Sequence, residues 1–148
     1  MGKVLAISIS KEKGVPKTNI PKAKILKNFG IKGDAHAGKW EKQVSFLDKN
    51  VLEIVSKTTG KPIAYGELAE NITTDLDLSQ IRVGDLIKIN DCIFEVTQIG
   101  KDCKKENCTL VPDVKNCEVK KRIVFTKVLK GGEIKIGDCI EIIKTKRS

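Results

Sequence analysis

The sequence predicts a mainly β fold, a small closed or partly closed β-barrel with one or two peripheral helices. Three observations predict it. About eight or nine short runs rich in β-branched residues are separated by glycine, proline and aspartate punctuation. Only residues 50–57 place apolar residues at a clear helical spacing. One corner pattern also occurs twice, as IRVGDLIKIN over 81–90 and as EIKIGDCIEII over 133–143. Two copies are too few for a repeat protein, whereas a small barrel can use the same corner twice.

Taken in order, residues 4–10 alternate and form the first strand, and 11–24, with Gly14, Pro16 and Pro21 among lysines, read as a surface loop. A short strand follows over 23–29. The glycine-rich stretch 30–40 has no apolar period and is expected to be irregular; it carries the only His and the only Trp, His36 and Trp40. Residues 43–47 are a brief strand. Asp48 is the expected N-cap of a helix over 50–57, with Val51, Leu52, Ile54 and Val55 on its apolar face and Gly60 and Pro62 ending it. A turn or short helix over 65–69 leads to a strand over 71–74. From Ile81 the chain is strongly β: Gly84-Asp85 and Gly137-Asp138 each make a tight turn between two short strands, and 92–99 and 123–129 are the other strands. The 148 residues fit one domain with a core that needs no covalent staples.

Composition narrows the function classes. The net charge of +9, from 28 Lys and Arg against 19 Asp and Glu, favours anionic ligands. The lysines are dispersed, aromatic residues are only 4%, and no nucleic-acid-binding signature is present, so nucleic acid is not an expected partner. No membrane span or secretion signal is read from the sequence. With an odd number of cysteines, five, reduced thiols in a cytoplasm are the expectation.

Three of these cysteines, Cys103, Cys108 and Cys117, fall in the lysine-rich segment 100–117. A metal site, a disulfide and a nucleophilic or cofactor-ligating thiolate are the competing readings, the disulfide being disfavoured by compartment. Lys101, Lys104 and Lys105 favour the thiolate form, which attacks sulfur or ligates a soft metal. The bland alternative is that lysine and cysteine share a solvated loop by chance. Zinc would need a wider loop than Cys-x-x-Cys provides, and a fourth ligand such as His36. Cys92 and Cys139, inside strand patterns, read as core filler. His36 lies between Gly33 and Gly38, where glycine allows a close approach to a ligand; a surface turn is the plain reading. Glu70 and Asn71 fit either an ordinary strand start or a polar contact to a heterocycle.

Three blocks, 33–47, 66–108 and 124–142, carry the motifs GD-x-H-x-G, E-N-[IL]-T, VGD-x-[IL], E-V-T-Q and GGxIxxGD. In this order they resemble the single-domain members of the MOSC family, the domain at the C-terminus of molybdenum cofactor sulfurases. The resemblance implies a barrel-like fold over 1–148 and binding of the molybdenum cofactor (molybdopterin), or persulfide sulfur carriage for it. It implies sulfur transfer or a part in a molybdenum cofactor-dependent reductase. Cys108, the first choice, and Cys103 would be the catalytic thiols, with Cys108 as the ligand to molybdenum. Gly33, Asp34, His36, Gln43, Ser45, Glu70, Asn71, Thr73 and Lys127 would contact the cofactor. Lys127 stands where the family has Arg; it keeps the charge without the planar bidentate grip. The implied partners are a cysteine desulfurase, whose pyridoxal phosphate stays in that enzyme and is not bound here, or a molybdoenzyme or reductase. The alternatives are a zinc module using Cys103, Cys108 and Cys117, and a basic RNA-binding barrel.

Overall fold

The computed structural model describes residues 2–12, 17–68, 70–100 and 121–144. These form β1 (Gly2–Ile9), β2 (Thr18–Ile20), β3 (Lys22–Leu26), β4 (Gly30–Ile31), β5 (Val44–Asp48), α1 (Lys49–Thr59), β6 (Ile72–Thr74), β7 (Leu86–Ile89), β8 (Cys92–Ile99), β9 (Val124–Lys130), β10 (Gly132–Lys135) and β11 (Cys139–Ile143). The main sheet runs β11-β7-β8-β9-β5-β6-β1 and closes through a β1–β11 pairing, giving a seven-stranded barrel. Strand β2 extends β1 at the rim, and β10, β3 and β4 form a separate small sheet.

The barrel core is filled from the alternate residues that face inward. Phe46 and Phe94 meet edge to face, their centroids 5.1 Å apart, among Ile7, Val44, Ile72, Ile87, Val96, Val124 and Ile140. Strand β5 differs from its neighbours because all five of its residues are buried. Its inner face meets this core. Its outer face, through Leu47, meets Val51, Leu52 and Val55 of α1, together with Leu68 and Ile123. The helix is therefore the crossover that lets β5 and β6 pair in parallel, Phe46 opposite Ile72.

The expected cap is present. Asp48 Oδ1 accepts from the Val51 N–H at 3.3 Å, and Gly60, at φ 72°, ends the helix in the left-handed region. Asp48 also works beyond α1: its Oδ2 accepts from the Leu78 N–H at 3.1 Å and from the Arg122 guanidinium at 2.8 Å. The turn of the duplicated corner is the same in both copies. Gly84 and Gly137 have φ of 96° and 95°. Asp85 and Asp138 each accept, through Oδ2, from the backbone N–H three residues earlier, at Arg82 (3.0 Å) and Lys135 (2.8 Å). The strands leaving the corners, β7 and β11, then pair with each other.

Four expectations need correction. The 11–24 loop contains β2 and the start of β3, and the three residues of β2 are too few and too exposed to show a period. The first corner has no regular strand before it among the described residues; Gly84 and Asp85 reach β8 through the Gly84–Val96 and Val96–Asp85 backbone bonds. Ile54 is exposed at the margin of the helix face. Cys139 is exposed rather than core filler, because inward-facing Ile140 sets the alternation of β11.

Just before β6 lies Glu70, fully buried. Its Oε2 accepts from Thr73 Oγ1 at 2.9 Å, and its Oε1 has no hydrogen-bond partner among the described residues. Burial pushes this carboxyl above the usual carboxylate range, opposed by the backbone N–H of Glu70, the Thr73 hydroxyl and the backbone N–H groups of Gly66 and Leu68.

Two outcomes are expected. Asp48→Ala removes a cap worth about 1 kcal/mol and orphans buried donors costing roughly 1–3 kcal/mol, so urea unfolding should show a loss of about 2–4 kcal/mol. Asp48→Asn, which can still cap, should lose less; equal losses would contradict the cap. A raised folded-state pKa means that the native protein holds a proton the unfolded chain has released. Stability from Glu70 therefore falls as pH rises above the ordinary value of 4.5. The urea midpoint of the wild type should decline through that window relative to Glu70→Gln, and superimposable profiles would contradict this.

Candidate functional site

A cleft of about 160 Å³ opens on the outer wall of the barrel, lined by Lys17, His36, Trp40, Lys42, Ser45, Asn71, Ile123 and Phe125. Its floor is built by strand alternation. Val44 and Phe46 point into the barrel, so Ser45 points out, opposite Phe125 of β9. Asn71 enters from the residue before β6. His36 and Trp40 come from the turn-rich stretch between β4 and β5, where Gly33 (φ 91°) and Gly38 (φ 148°) hold backbone conformations that L side chains rarely adopt.

One buried hydrogen-bond network holds these parts together. Asn71 Oδ1 accepts from the Ser45 N–H at 2.9 Å and from Ser45 Oγ at 3.1 Å, while the Asn71 N–H donates to Ser45 Oγ at 3.0 Å. Asn71 Nδ2 donates to the Ser8 carbonyl at 3.0 Å and to Asp34 Oδ2 at 3.1 Å. Asp34 Oδ1 accepts from the Ser10 N–H at 3.0 Å and pairs with Lys17 Nζ at 3.4 Å. Lys17 Nζ lies 3.4 Å from His36 Nδ1 in turn. The Trp40 indole donates to the His36 carbonyl at 2.8 Å, and Lys42 Nζ sits 5.0 Å over the Phe125 ring.

The network's acid, Asp34, is a fully covered side chain paired with Lys17, so the cleft presents Lys42, His36 and aromatic surface to a ligand. Such a lining suits an anion attached to a planar ring: ammonium and N–H groups meet the charge, and Trp40 and Phe125 meet the ring. At about 160 Å³ the described walls enclose less than the roughly 300–1,000 Å³ of a whole small-molecule site, and match a fragment of one.

Of the residues expected from the sequence, His36, Ser45 and Asn71 line the cleft, Asp34 lies directly behind it and Gly33 shapes the loop. Gln43 is elsewhere: it is fully buried, accepts from the Val128 N–H at 2.8 Å and donates to Asn28 Oδ1 at 3.1 Å, bracing β9. Glu70 and Thr73 are buried against each other, and Lys127 pairs with Glu95 at 3.5 Å away from the cleft. Cys103, Cys108 and Cys117 lie outside the described residues. The residues flanking that segment are described: the Gly100 N–H donates to the Ile123 carbonyl at 2.7 Å, and Ile123 lines the cleft. Among the described residues no cluster of three or more His, Cys, Asp and Glu could hold a metal ion. Burial, with Asp91 and Asp138 nearby, pushes the Cys92 thiol up to about 11, which keeps it an inert thiol near neutrality.

Sequence reasoning did not single out Lys17, Trp40, Lys42, Ile123 or Phe125 as site residues. Trp40 carried a signal, as the one tryptophan in a glycine-rich loop. Lys17 carried none, because it is one lysine among several in its segment.

A family model described as MOSC domain matches residues 33–141, well over half of the chain. No curated protein matches the chain in sequence. Among solved structures, the YUAD protein from Bacillus subtilis superimposes with a TM-score of 0.82 at 17% identity, covering 99% of this chain and 98% of that one. YiiM from Geobacillus stearothermophilus gives 0.76 at 18% identity, over 97% of this chain and 76% of that one. YiiM from Escherichia coli gives 0.74 at 14% identity, over 100% and 72%. At these identities the likeness concerns the fold. Sequence motifs, matched family model and seven-stranded barrel agree, and the chain belongs to the MOSC domain family.

Proposed function

We propose that the cleft between Lys17, Lys42 and Asn71 binds the phosphate-bearing pterin of the molybdenum cofactor, and that the chain carries the cofactor or sulfur destined for it. The observation that carries this reading is convergence. Cationic Lys17 and Lys42, the His36 ring, and the aromatic faces of Trp40 and Phe125 meet over a polar floor of Ser45 and Asn71. They meet beside Ile123, which with Gly100 closes the base of the segment that contains Cys103 and Cys108.

The donor set fits the group. Lys42 and His36 would receive the phosphate, Trp40 and Phe125 the planar ring, and Asn71 and Ser45 would fix the orientation of the His36-bearing loop. A ring that stacks on Phe125 displaces the Lys42 ammonium from that face and leaves it available to the ligand's anionic end. The cofactor, when bound, supplies molybdenum centred oxygen-atom or sulfur chemistry. A thiolate from Cys108 or Cys103 is the soft donor that such a metal, or an incoming sulfane sulfur, would take.

Expressed in a host that makes the cofactor, the protein should co-purify with molybdenum and release a pterin on denaturation. Stacking is worth about 1–3 kcal/mol per ring, so Trp40→Ala should weaken retention roughly tenfold or more while leaving the barrel folded. Cys108→Ser and Cys103→Ser, compared for molybdenum content and for persulfide formed from a desulfurase and cysteine, distinguish ligand from carrier. Protein that contains neither molybdenum nor pterin and gains no persulfide would remove the proposal.

A further inference from the structure

Lys17, one of the two lysines of the cleft, is an uncommon one. Its side chain is 4% exposed, and its ammonium lies 3.4 Å from Asp34 Oδ1 and 3.4 Å from His36 Nδ1. An ammonium donates hydrogen bonds and accepts none. The nitrogen facing it must therefore present a lone pair, and the proton of the imidazole belongs on Nε2. The competing arrangement is an imidazolium donating Nδ1–H to Asp34. It has a separation of 3.9 Å, beyond hydrogen-bonding range, and would place a second cation 3.4 Å from the covered ammonium of Lys17, although the His36 ring itself is 38% exposed. Asp34 is held in place by Asn71 Nδ2 on one oxygen and by the Ser10 N–H on the other, so it keeps Lys17 where it is. The Trp40 indole holds the His36 carbonyl and fixes the other side of the same residue.

We propose that Lys17 is a positioning residue: it sets His36 as the neutral Nε2–H tautomer, so that the cleft selects ligands presenting an unprotonated oxygen, such as a phosphate or a ring carbonyl, to the histidine. The consequence for selectivity rests on the cleft being the ligand site. The tautomer itself does not. A ligand offering a donor at that position would face N–H against N–H, and a buried mismatch of this kind discriminates more strongly than a change of size. The same arrangement occupies Nδ1, which leaves it unsuited to ligating a metal. A buried Asn–Asp–Lys chain is thus given a purpose that barrel stability alone would not require.

His36 is the only histidine in the sequence, so a long-range ¹H–¹⁵N correlation spectrum of the labelled, ligand-free protein reads a single ring. At about pH 8, above the ordinary imidazole range, the wild type should show Nδ1 unprotonated and Nε2 protonated. In Lys17→Met the cation is gone and Asp34 is the neighbouring acceptor, so the Nδ1 signal should shift toward the protonated position. Lys17→Arg, again an obligate donor, should restore the wild-type pattern. A protonated Nδ1 in the wild type, or a Lys17→Met ring indistinguishable from wild type, would overturn the proposal. If Lys17→Met does not fold, the wild-type and Lys17→Arg spectra still decide, because a protonated Nδ1 in either one is incompatible with it. Cofactor retention is measured separately, so an empty cleft with the expected tautomer counts against the proposed function alone.

Discussion

The side-chain amide of Asn71 is the constraint on which the rest of this site depends. Its oxygen and its NH₂ group are engaged on opposite sides, binding β5 through Ser45, β1 through the Ser8 carbonyl, and the His36-bearing loop through Asp34. No apolar residue could join three separate chain segments in this way, because each of those segments brings a buried polar group that must be satisfied. The network is buried and fully bonded at Asn71, which is the condition under which a polar cluster rigidifies a site rather than weakening it. Without it, β5 and β6 would keep their ladder, while the loop carrying His36 and Trp40 would be held only by the bonds around Ser10, Phe29 and Lys17 among those described.

The barrel makes the cleft possible by burying β5 on both faces. Phe46 fills the interior and Leu47 sits under α1, so Ser45 is the outward position left next to the helix cluster. Asp48 secures the same region from the other end, joining the start of α1, the Leu78 backbone and Arg122. The chain thereby sets its loop-borne cationic groups and Trp40 against a wall that carries Ser45 and Phe125, and the Gly100–Ile123 bond joins the residues flanking the cysteine-bearing segment just before β9. Loop residues braced against strands by buried hydrogen bonds hold their geometry better than an unbraced loop.

Much of this architecture was legible in the sequence because it is written in local periods. Strands β1, β8 and β9 alternate, α1 has a cap at each end, and the Gly-Asp corner announces itself twice. Even Cys139 could have been placed outward from the alternation with Ile140. The segments β2 and β4 are too short to carry a period, and only pairing to distant residues reveals them. The site divides in the same way. His36 and Asn71 belong to recognisable motifs, and they do line the cleft. Lys17 and Lys42 are ordinary lysines until the fold brings them to Asp34 and Phe125, and Gln43, Glu70 and Thr73 are buried polar residues that do not line the cleft.

The claim that these buried polar groups act as one unit is tested most directly by a double-mutant cycle in urea unfolding, using Asp34→Ala and Asn71→Ala singly and together. Residues in one buried network couple by about 0.5–3 kcal/mol, so the double variant should be destabilised by clearly less than the sum of the single losses. Strict additivity would contradict the account, because it would mean that Asn71 and Asp34 hold their segments independently and that the cleft is not built by a shared network.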